Sequence, residues 1–174
     1  AGIGETGMEA FFRMGSLDDC GAMAAGLTEV YQLEQQEEYR SYLDKAADYI
    51  MHDEHRLADG TLARTGPYEM TLWLDDLYMS IPFLARYGQL TGEEKYFAFS
   101  AEQVKQFTEY LYDEYTGLYF HCYFTNFDEH GVARWGRANG WSIMAQANLP
   151  DYLPEDHSEW ETLRGIFHQQ VTGL

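Results

Sequence analysis

The sequence predicts an all-α fold of helical hairpins packed side by side. Three observations carry this: apolar residues recur at helical spacing through most of the chain, helix-start signals punctuate it, and successive helix pairs resemble one another. At 174 residues a single domain with a substantial core is expected, since a chain of this size buries roughly 70% of its extended surface.

The first helix is expected from Ser16, whose hydroxyl can cap free N–H groups, to about Gln32. Asp18 and Asp19 fall in its first turn, where the helix dipole favours negative charge. A second helix covers Tyr39 to Met51, with Tyr39, Leu43, Ala46, Ala47 and Ile50 on one stripe. Its end, His52 to His55, reads as solvated. Asp59-Gly60, Gly66 and Pro67 make His52 to Tyr68 a loop. The third helix takes Leu72 to Tyr87, with Pro82 as an expected kink. Thr91 to Glu94 reads as a capping box for a fourth, ending near Tyr112. Asp113 to Phe124 reads as a turn and a short extended segment. A fifth helix starts around Arg137 and ends before Pro150, and a second capping box, Ser158 to Glu161, opens a sixth that runs towards Val171.

The pairs repeat. A shift of 57 residues puts Asp18-Asp19 on Asp75-Asp76, Leu27 on Leu84, Leu33 on Leu90, Tyr39 on Tyr96 and Ile50 on Phe107. A further shift of 63 brings Leu90 to Leu153 and Asp76 to Asn139. Stacked hairpins gather the N-terminal turns of alternate helices at one end. Asp18/Asp19, Asp75/Asp76 and Arg137/Asn139 are therefore expected to converge on one mouth.

Composition narrows the partners. A net charge of −18 repels a phosphate backbone or an anionic membrane, so neither nucleic acid nor membrane is expected as a partner. An anionic small molecule needs only a local cation, and Arg134 and Arg137 are candidates. Aromatic residues reach 16%, enough to fill a core and also line a cleft for the apolar face of a sugar. Cys20 and Cys122 suggest neither a disulfide framework nor a metal site. No apolar run approaches the length of a membrane span, and the opening AGIGETGMEA lacks the regions of a signal peptide. A soluble protein is expected, with its compartment left open by the sequence.

Two stretches carry the candidate chemistry. In LWLDDLYM, Asp75 and Asp76 lie beside Trp73, and adjacent helical residues point about 100° apart, so one carboxylate of each pair can face a given cavity. A carboxyl group in a poorly solvated cleft beside a second carboxylate is favoured in its protonated form, the requirement for a general acid. An acidic first turn is the competing structural explanation. In RWGRANGW, Arg137 and Asn139 are costly to bury without polar partners, and a guanidinium matched to a ligand carboxylate uses the residue well. His121, in YFHCY, reads equally as a core histidine or a pocket residue.

LDDCGAM at 17–23, LWLDDLYMSIPFLARYGQLTGEEKY at 72–96, GLYFHCY at 117–123, WGRANGW at 135–141 and DYLPEDH at 151–157 resemble the unsaturated rhamnogalacturonyl hydrolases, glycoside hydrolase family 105. The family 88 unsaturated glucuronyl hydrolases are similar but more distant. The resemblance implies an (α/α)6 toroid of six hairpins. It makes Asp75 the general acid and base and Asp19 its carboxylate partner. Arg137 and Trp141 would bind an unsaturated uronic acid, and His121, Trp73, Asn139 and Trp135 would line the pocket. The implied reaction hydrates the C4=C5 enol ether of an unsaturated galacturonyl-rhamnose type oligosaccharide, with no metal or organic cofactor.

Three hairpins are half of six. Residues 1–174 are therefore expected to be part of a longer catalytic domain, or one of two copies that complete a ring. Two other functions fit the same residues: a catalytically silent helical-repeat domain that binds acidic oligosaccharide, and a conventional acid/base hydrolase or epimerase on the same toroid.

Overall fold

The computed structural model describes residues 14–173. The opening segment read above as lacking signal-peptide regions lies outside the described residues. Helices dominate, as expected: α1 Leu17–Leu33, α2 Glu37–Asp48, α3 Asp76–Thr91, α4 Glu94–Leu111, α5 Gly136–Asn148 and α6 Trp160–Thr172. They form three hairpins. α3 packs between α1 and α5 in one layer, while α2, α4 and α6 pack on their hairpin partners in the other.

Close approach explains the residues on α1. A Cβ on Gly21 would lie 1.5 Å from the carbonyl oxygen of Met79, so the α1 and α3 backbones touch there. Around this contact Cys20, Ala24, Leu77, Ile81, Phe83 and Leu84 are fully buried, and Leu43, Ala46 and Ile50 seal the α2 side. Arg86 ties the inner layer together, donating to Glu29 of α1 at 3.1 Å and to Asn148 at the end of α5 at 3.0 Å. The repeat holds at Leu27/Leu84 and Ile50/Phe107, which are buried, but not at Leu33, which is 90% exposed.

Several boundaries differ from the sequence expectation. Ser16 precedes α1 without a side-chain cap bond. α2 ends at Asp48 and passes into a π-helical turn, Tyr49–Asp53. Within it His52 and Asp53 are exposed, but Glu54, the next residue, is buried and accepts the Tyr49 hydroxyl at 2.5 Å. Leu72 and Trp73 are not helical: they belong to strand β1, Thr71–Trp73. Long-range pairing overrides the helical pattern here. The remaining strands are β2 Tyr112–Asp113, β3 Leu118–Tyr119, β4 Cys122–Phe124 and β5 Glu129–His130. β4 lies between β1 and β5, antiparallel to both, and β2 pairs with β3.

Neither capping box forms. α3 continues through Pro82 to Thr91 and stops at Gly92, whose φ of 71° suits glycine. Thr91 is thus still in α3, its hydroxyl donating to the Tyr87 carbonyl. At α6 the Glu159 N–H is accepted by His157 Nδ1, and no side chain caps the helix from Glu159. Cys20 and Cys122 are free and buried. Among the described residues no helix is long and apolar enough to cross a membrane.

Candidate active site

The N-terminal turns of the three inner helices open on one cleft of about 550 Å3, within the range of small-molecule sites. Asp18 comes from α1, Asp75 from the position just before α3, Met79 from the first turn of α3, and Arg137 and Trp141 from α5. The sheet completes the wall. β1 brings Trp73 to the edge of the cleft, and its partner β4 is preceded by His121.

Asp75 is the residue immediately before α3, and its side chain is 13% exposed. His121 Nε2 lies 3.1 Å from Asp75 Oδ2. The imidazole sits between two indoles, edge-on to Trp73 at 4.8 Å and tilted against Trp135 at 4.9 Å. The Trp73 indole N–H is buried and without a hydrogen-bond partner among the described residues, a cost that a purely structural position would avoid. Trp141 stacks on Tyr78 with centroids 4.4 Å apart. Arg137 lies over the Trp135 ring at 3.8 Å and has no ion-pair partner among the described residues. Arg134, the other candidate cation, is committed to Asp113 at 2.6 Å and packs over Phe120.

Two expected site residues lie elsewhere. Asp18 lines the cleft and Asp19 is not among its lining residues; neighbouring residues on α1 point about 100° apart, so the two do not face one opening together. Asn139 is buried: its Oδ1 accepts the Tyr119 N–H at 2.9 Å and its Nδ2 donates to the Tyr119 carbonyl at 3.0 Å. Asn139 therefore pins β3 to α5, and Gln170 of α6 completes the buried network around it. The repeat has a phase. The first member of each acidic pair, Asp18 or Asp75, faces the cleft, whereas Asp76 and its equivalent Asn139 are buried.

Arg64 was not anticipated. It arises from the segment read as loop, where only its rarity in an acidic chain set it apart. Its Nη1 and Nη2 bond Asp18 at 2.8 and 3.0 Å, and its Nε and Nη2 bond the buried Asp76 at 2.5 to 3.1 Å. Burial works against the guanidinium charge, but Asp76 and Asp18 outweigh it and hold the Arg64 pKa above its usual value. Burial pushes the Asp76 carboxyl up to about 7, against the pull of Arg64. Among the described residues no group of three metal-type ligands forms.

A family model described as Glycosyl Hydrolase Family 88 matches residues 4–174. The chain belongs to that family. The family 88 chain is 29% identical, over 143 residues, to the unsaturated rhamnogalacturonyl hydrolase YesR of Bacillus subtilis (strain 168), covering 76% of this chain and 41% of that protein. It is similar to a solved glycoside hydrolase of family 105 from C. acetobutylicum ATCC 824, with a TM-score of 0.85 at 27% identity over 98% of this chain and 52% of that one. A solved possible family 105 member from Klebsiella pneumoniae subsp. pneumoniae MGH 78578 gives 0.78 at 25% identity, covering 87% of this chain and 41% of that one. The chain thus spans about half the length of these relatives or less, and its three hairpins are part of an (α/α)6 toroid.

Proposed function

We propose that this chain carries the catalytic side of a glycoside hydrolase that removes an unsaturated galacturonic acid from oligosaccharides by hydrating its C4=C5 enol ether. The observation that carries this reading is the Asp75–His121 contact, 3.1 Å long, in a cleft that also presents the ion-pair-free Arg137. Trp141, stacked on Tyr78, offers a ring for the flat face of the unsaturated sugar, and Arg137 sits where the ligand carboxylate can form a charge-assisted pair. Protonated Asp75 delivers a proton to C4. Water adds at C5 and loses its proton to the Asp75 carboxylate, and the resulting hemiketal opens and releases the neighbouring sugar. His121 holds the Asp75 carboxyl in one orientation through this sequence. Asp18 takes the place expected of Asp19 as the second carboxylate, but Arg64 binds both its oxygens, so its role is electrostatic rather than that of a proton carrier. Carboxylate spacing does not predict retention or inversion here, because the attack is not at the anomeric carbon.

The test follows the ultraviolet absorbance of the conjugated uronate as an unsaturated galacturonyl-rhamnose disaccharide is mixed with the protein. Loss of absorbance with release of rhamnose is expected. Release of rhamnose with the double bond intact would replace hydration by a conventional acid/base hydrolysis. Binding without any turnover by the longest form of the protein would identify a silent binding domain.

A further inference from the structure

The sheet that carries Trp73 continues from the cleft to a second hollow. Pairing sets Trp73 opposite Cys122, Thr71 opposite Phe124, and Phe124 opposite Glu129. Residues directly opposite share a sheet face, as do residues two apart along a strand. Phe124 and Glu129 therefore lie on the face that Trp73 presents, roughly 7 Å further along the strand. There, with Tyr68 and Phe127, they line a hollow of about 290 Å3.

Its walls are ordered. Tyr68 meets Phe124 and Phe127 edge-on, with centroids 5.7 and 5.6 Å apart. The Thr125 hydroxyl donates to the Met70 carbonyl at 2.6 Å and the Asn126 amide to the Glu69 carbonyl at 3.0 Å, so the two loops bearing the rings are tied together. Yet Tyr68 and Phe127 stay 53% and 58% exposed. Clustered exposed rings on a pinned frame form the kind of apolar patch on which a ligand docks. The polar chemistry selects the ligand. Among the described residues no Lys or Arg lines the hollow, and Glu129 is its charged residue, with Glu69 exposed nearby. Ring faces take the C–H face of a pyranose, and a carboxylate accepts its hydroxyls, whereas a second carboxylate on the ligand would be repelled.

We propose that Tyr68, Phe124, Phe127 and Glu129 form a subsite for a neutral sugar in the leaving part of the substrate. The inference rests on the function proposed above, with the unsaturated uronate in the Asp75 cleft and the chain running outward along β1 and β4.

Three ligands test it, each carrying the same unsaturated uronate: its methyl glycoside, an oligosaccharide extended with neutral sugars, and one extended with a uronic acid. Binding is read by tryptophan fluorescence and hydration by ultraviolet absorbance. The neutral extension is expected to bind about tenfold tighter than the methyl glycoside, a gain of the size that stacking on one ring provides. The uronate extension is expected to show no such gain until Glu129→Gln removes the repulsion. Tyr68→Ala combined with Phe127→Ala, both at exposed positions, is expected to lose the neutral-sugar gain. Equal binding of all three ligands to the unaltered protein, or a gain that survives the double substitution, overturns the subsite. Absence of hydration for every ligand while the neutral-sugar gain stands overturns the hydration reading and leaves the subsite in place.

Discussion

His121 Nε2 and Asp75 Oδ2 meet at 3.1 Å although 46 residues separate them in the chain. One residue precedes a helix and the other precedes a strand, and it is the pairing of β1 with β4 that brings them together. The contact fixes the orientation of the carboxyl proposed to deliver the proton. Asp75→Asn is expected to lower turnover roughly 10²- to 10⁴-fold, the usual contribution of general acid–base catalysis, with an unchanged circular dichroism spectrum. Wild-type turnover in that variant would remove Asp75 from the mechanism.

Arg137 is set over Trp135, and its guanidinium has no hydrogen-bond or ion-pair partner among the described residues. Arg137→Ala should raise the KM for the unsaturated disaccharide roughly ten- to a hundredfold and change kcat less, because a lost charge-assisted bond weakens ground-state binding. Steady-state kinetics decide this. An unchanged KM would assign the ligand carboxylate to another residue.

The Arg64–Asp76 pair predicts a pH dependence with a definite sign. In the folded protein the Asp76 carboxyl is raised to about 7, above its unfolded value, so its favourable contribution is present at low pH and is lost as pH rises through that range. Arg64→Ala removes the opposing cation and raises the folded pKa further. The variant then goes on losing stability above about pH 7, where the parent levels off. Urea unfolding should show a gap that widens from pH 7 upward, reaching on the order of 3 kcal/mol. A gap independent of pH would mean that Arg64 acts through packing alone.

Gly21→Ala pits propensity against sterics. Alanine favours a helix over glycine by about 1 kcal/mol. The added Cβ would lie 1.5 Å from the Met79 carbonyl oxygen, and that backbone can yield only by moving α1 off α3. A net loss of about 2 kcal/mol or more is expected by denaturant titration. A stabilised variant would contradict the α1–α3 packing.

Burial pushes the Cys20 thiol up to about 12 and raises Cys122 as well. Neither thiolate is populated near neutral pH in the folded protein, so alkylation of native protein by iodoacetamide, read by mass spectrometry, should be slow and should accelerate on unfolding. Rapid native labelling of Cys20 would show that its pocket opens.

Much of this site was legible from residue order. Asp75, Trp73, Trp135, Arg137 and Trp141 stand out as residue types that a solvated helix does not need, His121 reads equally as core or pocket, and all line the cleft. Recurrence left open which member of each acidic pair turns inward, and it was the resemblance that named Asp19; that Asp18 lines the cleft and Asn139 is buried depends on the rotation of each helix about its axis. Arg64 escaped because its meaning comes from Asp18 and Asp76, 46 and 12 residues away, and no local pattern in its loop announces them. The capping box at Thr91 failed for a local reason of another kind: Thr91 still belongs to the preceding helix, which Gly92 ends.

The sequence by itself determined the all-α class, the hairpin repeat and the convergence of three helix starts, since periodic apolar spacing and acidic first turns are local properties of the chain. Only the tertiary structure decided that Leu72 and Trp73 form a strand, that Asp18 faces the cleft, and that Asn139 serves the core. Each of these depends on a partner distant in the chain. A strand edge needs another strand, and a buried polar group needs a matching donor or acceptor brought to it by the fold.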